Sequence, residues 1–159
     1  MLSRRRLLGV ALPGLALGLR PNTLSALTQS QSAEGTKIFI WEHSGTKGCC
    51  GPWATELVSA GFKVEMEQVI HLSKLHEDLK VPEDLWSCHT AVIEAYVIEG
   101  HVPMADIKRL LDERPYLNGL CAPDYLDDDG YVRTEGTFDV VAFRGDGSRF
   151  VFSTNKIEA

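Results

Sequence analysis

Between residues 37 and 69 the sequence alternates strand and helix patterns, and this alternation limits the possible fold more than any other feature. Residues 37–41 form a short apolar run typical of a buried strand, and residues 62–69 alternate apolar and polar side chains as a second strand would. Between these strands, Gly51-Pro52 indicates the start of a helix because proline suits its first turn, and Gly61 indicates its end. The pattern predicts a βαβ unit and therefore an α/β fold.

The remaining patterns extend this unit. A leucine repeat over residues 72–79 predicts a second, shorter helix, and residues 90–93 and 96–99 predict two strands joined by a tight turn. A third helix is expected to begin at Pro103 and to end before Pro115, and a hairpin is expected around residues 144–147. The predicted order is β-α-β-α-β-β-α with a C-terminal β-hairpin, which is the thioredoxin-like arrangement.

The first residues differ from the rest. Arg4, Arg5 and Arg6 precede a short apolar run that ends at residue 19, and this run falls short of the ~20 residues that a membrane-spanning helix needs. The order Ser-Arg-Arg-x-Leu-Leu is typical of a twin-arginine signal. We therefore predict a twin-arginine-type signal peptide over residues 1–27, a polar linker over 28–36 and one domain over 37–159, exported to the periplasm or cell envelope. An uncleaved amphipathic anchor and a misplaced start are the alternatives.

Cleavage of the signal makes the chain more acidic. Removal of Arg4, Arg5, Arg6 and Arg20 from the 16 basic residues leaves 12, against 22 acidic residues, so the net charge becomes −10. Such a surface repels phosphate backbones, which argues against nucleic acid as a partner and favours cations. No membrane span is expected after cleavage.

All four cysteines, Cys49, Cys50, Cys88 and Cys121, lie in the part predicted to be exported. An even number of cysteines in an oxidising compartment is compatible with two disulfides. Two adjacent cysteines fit that interpretation poorly, because neighbours rarely join separate parts of a fold. They either pair elsewhere, form a strained vicinal bridge, or bind a ligand.

A thioredoxin-like fold brings three of this chain's loops to one end of the sheet. The first loop carries Cys49 and Cys50 before a helix N-terminus, which favours thiolates; the second carries Cys88 and His89, and the third His101. Thiolates with an imidazole select copper(I), zinc or iron–sulfur clusters rather than hard cations. We therefore predict a soft-metal site, with copper(I) or zinc as the candidates.

Three motifs carry a family resemblance. Gly48-Cys49-Cys50-Gly51-Pro52-Trp53, Ser87-Cys88-His89-Thr90-Ala91 and the segment 96–103 together resemble the periplasmic copper-resistance family of the CopG type over about residues 37–120. The resemblance implies a thioredoxin-like fold, an envelope location and copper bound through cysteines, with a role in handling or oxidising copper(I).

The chain departs from the family pattern in two places. Lys47 stands where the family usually has the first cysteine of Cys-Gly-Cys-Cys, so the Cys-x-x-Cys redox pair is lost. The family's Met- and Gly-rich segment after the third helix is replaced here by residues 121–130, which contain no methionine. Weaker or rearranged copper binding, or another metal, would follow.

These observations predict an exported metal-binding protein that holds copper(I) on Cys49, Cys50 and Cys88, with His101 and His89 as further candidate ligands, rather than an enzyme. A protein that accepts or delivers copper would be its partner. The alternatives are a periplasmic thiol–disulfide or copper oxidoreductase, and a degenerate thioredoxin-like adaptor that binds a protein.

Several residues have simpler interpretations. Cys121 is expected to pack in the core, because it belongs to no motif and cysteine is often buried. His101 could instead cap the third helix, and His89 could instead hydrogen-bond to nearby loops. His43, His71 and His76 are expected on the surface. The three tryptophans are expected to be core aromatics.

Overall fold

The computed structural model describes residues 34–45, 50–123 and 135–157, so the predicted signal peptide, most of the linker, Lys47 and Cys49 lie outside the described residues. Seven strands and three α-helices follow one another along these residues. The strands are β1 (Lys37–His43), β2 (Lys63–Val69), β3 (His89–Ile93), β4 (Tyr96–Glu99), β5 (Gly119–Cys121), β6 (Thr137–Phe143) and β7 (Arg149–Lys156). The helices are α1 (Gly51–Ser59), α2 (Leu72–Asp78) and α3 (Met104–Glu113), with a short 3-10 helix at Glu83–Leu85.

All seven strands form one sheet in the order β2-β1-β3-β4-β5-β6-β7. β1 pairs parallel with β2 and antiparallel with β3, and β3 and β4 form an antiparallel pair across a tight turn at Glu94, whose φ is 53°. The predicted α/β thioredoxin-like arrangement and its C-terminal hairpin are confirmed. Within the described residues, no helix is both long and apolar enough to span a membrane.

β5 is absent from the predicted order. It has only three residues, and it connects β4, with which it runs parallel, to the C-terminal hairpin. A side chain at Gly119 would place its Cβ 2.1 Å from the carbonyl oxygen of Val97, so the two strands can approach each other only because this residue is glycine. Three residues are too few to give a detectable alternation of polar and apolar side chains.

Successive strand residues point to opposite faces of the sheet, and apolar residues cover both of these faces. Ile98, Leu120 and Ala142 belong to the larger core, which α1 and α3 cover. Their neighbours Val97, Cys121 and Phe143 belong to a smaller core, which the segment 79–86 covers. The sequence-predicted packing of Cys121 is confirmed, since its side chain is fully buried in this smaller core.

The helix ends follow from local chemistry. Proline stands in the first turn of α1, and Gly61 adopts a φ of 99° just after its last turn, a conformation that glycine adopts without steric cost. The amide of Phe62 donates to the carbonyl of Leu57 at 3.1 Å and turns the chain into β2. The N-terminus of α1, at Cys50, lies beside the start of β3.

Candidate metal centre

Cys50 is placed by the start of α1. It is the N-cap residue of the helix, its carbonyl accepts a hydrogen bond from the amide of Ala54 at 2.8 Å, and its side chain is fully buried. The unpaired amides and the dipole at a helix N-terminus favour negative charge at such a position. Cys50 is therefore in a setting that suits a thiolate.

Cys88 and His89 are placed by the start of β3. The amide of His43, at the end of β1, donates to the carbonyl of Cys88 at 3.1 Å. The Ser87 hydroxyl lies 2.6 Å from the carbonyl of His89, which fixes the backbone on both sides of Cys88. Cys88 is half-buried, whereas His89 is fully buried. Main-chain pairing with β1 thus holds this loop beside the N-terminus of α1.

The ligand atoms of Cys50, Cys88 and His89 all lie within 4.8 Å of one another. Cys88 Sγ and His89 Nδ1 are 3.6 Å apart. Metal–ligand bonds of about 2.3 Å to sulfur and 2.0 Å to nitrogen, at tetrahedral or trigonal angles, place the two ligand atoms about 3.5–3.7 Å apart. The spacing therefore fits one ion shared by the thiolate and the imidazole.

Aromatic rings pack against His89 in this cluster. The His89 ring lies 5.1 Å from the rings of both Trp53 and His101, measured between centroids, and Trp53 and His101 stack at 6.4 Å. The Trp53 indole N–H donates to the carbonyl of Val102 at 2.9 Å and so joins α1 to the loop that carries His101. Trp53 is a core aromatic as predicted, whereas Trp41 and Trp86 are only partly buried.

His101 lies next to the cluster without being one of its three members. Gly100, directly before it, has a φ of 68°, and a Cβ there would lie 3.3 Å from the carbonyl oxygen of Ala122. The N-cap of α3 is Pro103, and it makes no side-chain capping hydrogen bond. The His101 side chain is half-buried against Trp53 and His89.

The open side of the cluster is a cavity of about 210 Å³, which we call the ligand cavity. Cys88, His89 and His101 line it, together with Gly100 and Pro123 among others. Such a space leaves Cys88 accessible to an exchanging ligand while the other two members of the cluster are buried.

A buried polar network lies behind Cys88. The carboxylate of Glu99 is fully buried, accepts a hydrogen bond from the Thr90 hydroxyl at 2.7 Å, and lies 3.0 Å from the Ser87 hydroxyl. His76 Nε2 lies 3.4 Å from the same carboxylate, and the His76 ring stacks on Trp86 with 4.9 Å between centroids.

The prediction that His76 lies on the surface is wrong, since it is 2% exposed, whereas His43 and His71 are exposed as predicted. Burial of His76 results from contacts with Glu99 and Trp86, which are distant in sequence. Glu99 is a further residue of the site that was not predicted from the sequence. The signal that could have found it is a carboxylate at the end of the apolar strand 96–99.

The sequence and the fold are each similar to known proteins. Residues 85–125 match the family described as "Protein of unknown function, DUF411". The fold is similar to two solved structures named "Copper resistance protein copG", forms 2 and 1, with TM-scores of 0.67 and 0.65 and sequence identities of 31% and 32%. Both alignments cover 77% of this chain, and they cover 99% and 98% of the two neighbours. No curated protein matches the chain.

Proposed function

Because the chain belongs to the CopG-type copper-resistance family, we propose that it binds copper(I) as cargo on Cys50, Cys88 and His89, with Cys49 as a further thiolate and His101 assisting. Family membership and the Cys/His cluster give the protein a copper-related function. The observation that carries the proposal is the meeting of two thiols and an imidazole within 4.8 Å, from residues up to 39 positions apart.

The chemistry of the ligand set supports copper(I) over hard cations, because thiolates and imidazole are soft or intermediate ligands. Copper(I) accepts a small number of such ligands, whereas zinc usually takes four in a closed site. The ligand cavity supports exchange, since a bound ion would remain accessible from the side of Cys88 and His101. A carrier that gives copper to a partner protein needs such access.

Single Cys→Ser variants at positions 50 and 88 test the proposal. An ion that loses one thiolate keeps a weaker ligand set, and even groups that only support metal ligands change affinity by about 10–100-fold. We expect each variant to lose at least that much copper(I) affinity, measured by anaerobic competition with a chromophoric copper(I) chelator. Cys49→Ser is expected to behave in the same way, and His101→Ala to lose less.

Cys121→Ser is the matched control, because Cys121 is as buried as Cys50 but lies in the smaller core, with Sγ 3.4 Å from the carbonyl of Leu85. It should bind copper(I) like the parent. Metal analysis of the anaerobically purified protein separates the two metals: copper supports the proposal, and zinc without copper would identify zinc as the cargo. Parental copper(I) affinity in both the Cys50 and Cys88 variants would refute the proposal.

We also propose that the protein works in the cell envelope, exported through the signal predicted over residues 1–27. A twin-arginine signal is read by a dedicated receptor that requires its paired arginines. The Arg4→Lys, Arg5→Lys double variant should therefore remain in the cytoplasm, as measured by fractionation of cells that express the full chain. Recovery of this variant from the periplasm at the parental level would indicate another export route.

A further inference from the structure

A second cavity, of about 350 Å³, is also lined by Cys88, and we call it the histidine cavity. Three imidazoles line it, those of His43, His71 and His76, and the remaining lining residues include Cys88 and Trp86. Trp86, Ser87 and Cys88 also line the ligand cavity. The two cavities therefore share the segment 86–88 as a common wall, and Cys88 is its metal-binding residue.

His76 is the inner imidazole of the histidine cavity. Both ring nitrogens are buried, and neither has a hydrogen-bond partner among the described residues, although Nε2 lies 3.4 Å from the Glu99 carboxylate. Buried polar atoms without partners are rare and need an explanation. An imidazole that directs one nitrogen to a carboxylate keeps the other for a metal, which is how metal-binding histidines are commonly held. Nδ1 of His76 is therefore the nitrogen left for an ion.

His71 is the outer imidazole of the pair. It is exposed, is the N-cap residue of α2, and lies five positions before His76. His43 is also exposed, but its Nδ1 accepts a hydrogen bond from the amide of Gly45 at 3.0 Å, which occupies one of its two nitrogens. An exposed and a buried imidazole on one cavity wall offer an ion successive ligands on its way from solvent to Cys88.

The spacing of these groups favours transient binding of a metal ion in the histidine cavity over its stable storage there. Among the described residues, the one group of three metal-binding side chains whose ligand atoms lie within 4.8 Å of one another is Cys50, Cys88 and His89. The histidine cavity therefore has the right ligand types without the convergence of a tight site. An ion held there by one or two imidazoles would move readily to the thiolates.

We propose that the histidine cavity is the loading route for copper(I), with His71 and His76 as successive ligands and Cys88 as the thiolate that receives the ion. The proposal rests on the proposed function, since it requires copper(I) to bind at Cys50 and Cys88. Loading requires no oxidant or reductant, because copper stays copper(I) and only exchanges ligands. A side chain on the route affects how fast copper arrives more than how tightly it is held.

Stopped-flow loading of the full chain under anaerobic conditions tests this distinction. The probe is copper(I) bound to a chromophoric chelator, at protein concentrations where the observed rate is proportional to the protein concentration. The variants are His71→Asn, which keeps a side chain favoured at a helix N-cap, and His76→Gln, which keeps polar atoms beside Glu99. Ser73→Ala is the matched control, because Ser73 lines the same cavity but offers no soft ligand.

We expect each histidine variant to load copper(I) about 10-fold more slowly than the parent, while its equilibrium affinity for copper(I) stays within about twofold of the parent. The loss of a group that supports a metal site typically changes affinity or activity by about 10–100-fold, and 10-fold is the lower end of that range. Ser73→Ala should load at the parental rate. Parental loading rates in both histidine variants would overturn the loading route and leave the proposed function intact.

Equal losses of rate and affinity would also overturn the route, because they would make these histidines part of the binding site itself. If the parent fails to bind copper(I), the proposed function and the route fail together. Circular dichroism establishes whether each variant is folded. If His76→Gln does not fold, the rate of His71→Asn decides the question alone.

Discussion

The buried carboxylate of Glu99 should be a main source of stability for the loop that carries Cys88 and His89. Glu99 lies on β4, and its partners Ser87 and Thr90 stand on either side of those two residues. Glu99→Ala removes the acceptor that joins them, whereas Glu99→Gln keeps an acceptor oxygen of the same shape. Comparison of the two variants separates the hydrogen-bond network from the volume of the side chain.

The expected loss follows from the contacts. In Glu99→Ala the buried Thr90 hydroxyl loses the acceptor that it reaches at 2.7 Å, and an orphaned buried donor costs about 1–3 kcal/mol. Loss of one buried methylene group, Cγ, adds about 0.8 kcal/mol. The Ser87 hydroxyl adds little, because the carbonyl of His89 still lies 2.6 Å away. We expect a total of about 3 kcal/mol for Glu99→Ala and about 1 kcal/mol for Glu99→Gln, which retains the acceptor.

Equilibrium unfolding in urea, followed by circular dichroism, measures this difference. With an m-value of about 1.5 kcal/mol/M, a loss of 3 kcal/mol lowers the unfolding midpoint by about 2 M. Glu99→Gln should unfold between Glu99→Ala and the parent. A midpoint of Glu99→Ala equal to that of the parent, or equal losses in the two variants, would show that the Thr90–Glu99 hydrogen bond does not stabilise this loop.

Three further predictions concern residues around the site. Gly100→Ala should lower copper(I) affinity in the competition assay. Gly100 has a φ of 68°, and a Cβ there would lie 3.3 Å from the Ala122 carbonyl oxygen, so the loop before the third helix would have to move. Parental affinity would contradict this prediction. Trp53→Phe should cost about 1–3 kcal/mol in urea unfolding, because it orphans a buried carbonyl that now accepts at 2.9 Å, and an unchanged midpoint would disprove it. The Arg149 guanidinium hydrogen-bonds to Asp84 and lowers the pKa of that carboxyl below its ordinary value of 3.8. The ionised Asp84 carboxylate therefore stabilises the fold at pH values above 3.8, and this contribution is lost as the pH falls through the lowered pKa. Thermal melts of Asp84→Asn should therefore differ slightly from the parent at neutral pH and converge with it in acid, whereas a difference that persists in acid would refute this.

The sequence determined the order and type of nearly all elements. Proline and glycine at the two ends of α1, the turn at Glu94 and the alternating strands act within a few neighbouring residues, so their effect can be predicted without tertiary contacts. The same local motifs carried the family resemblance, which the similarity to the CopG structures confirms. β5 was missed because its pairing depends on a close approach to β4 and not on its own three residues.

For the candidate site, the sequence predicted which loops lie close together but not the distances between their side chains. The sequence indicated that Cys50, Cys88 and His89 belong to loops at one end of the sheet, because strand order fixes which loops are neighbours. That their ligand atoms meet within 4.8 Å depends on the hydrogen bond between His43 and Cys88 and on the position of α1, which are tertiary contacts. The metal and its ligands stay predictions for the competition assay.

Burial of polar side chains was decided by the tertiary structure alone. The local sequence around His76 gives a helix with charged neighbours, and nothing in it distinguishes a surface histidine from a buried one. Its burial arises from Trp86 and Glu99, which are brought to it by a turn and by a strand far along the chain. A side chain's environment depends on which distant groups cover it, whereas helix and strand patterns depend on neighbours, and for this reason the sequence predicted the fold but not the buried network behind Cys88.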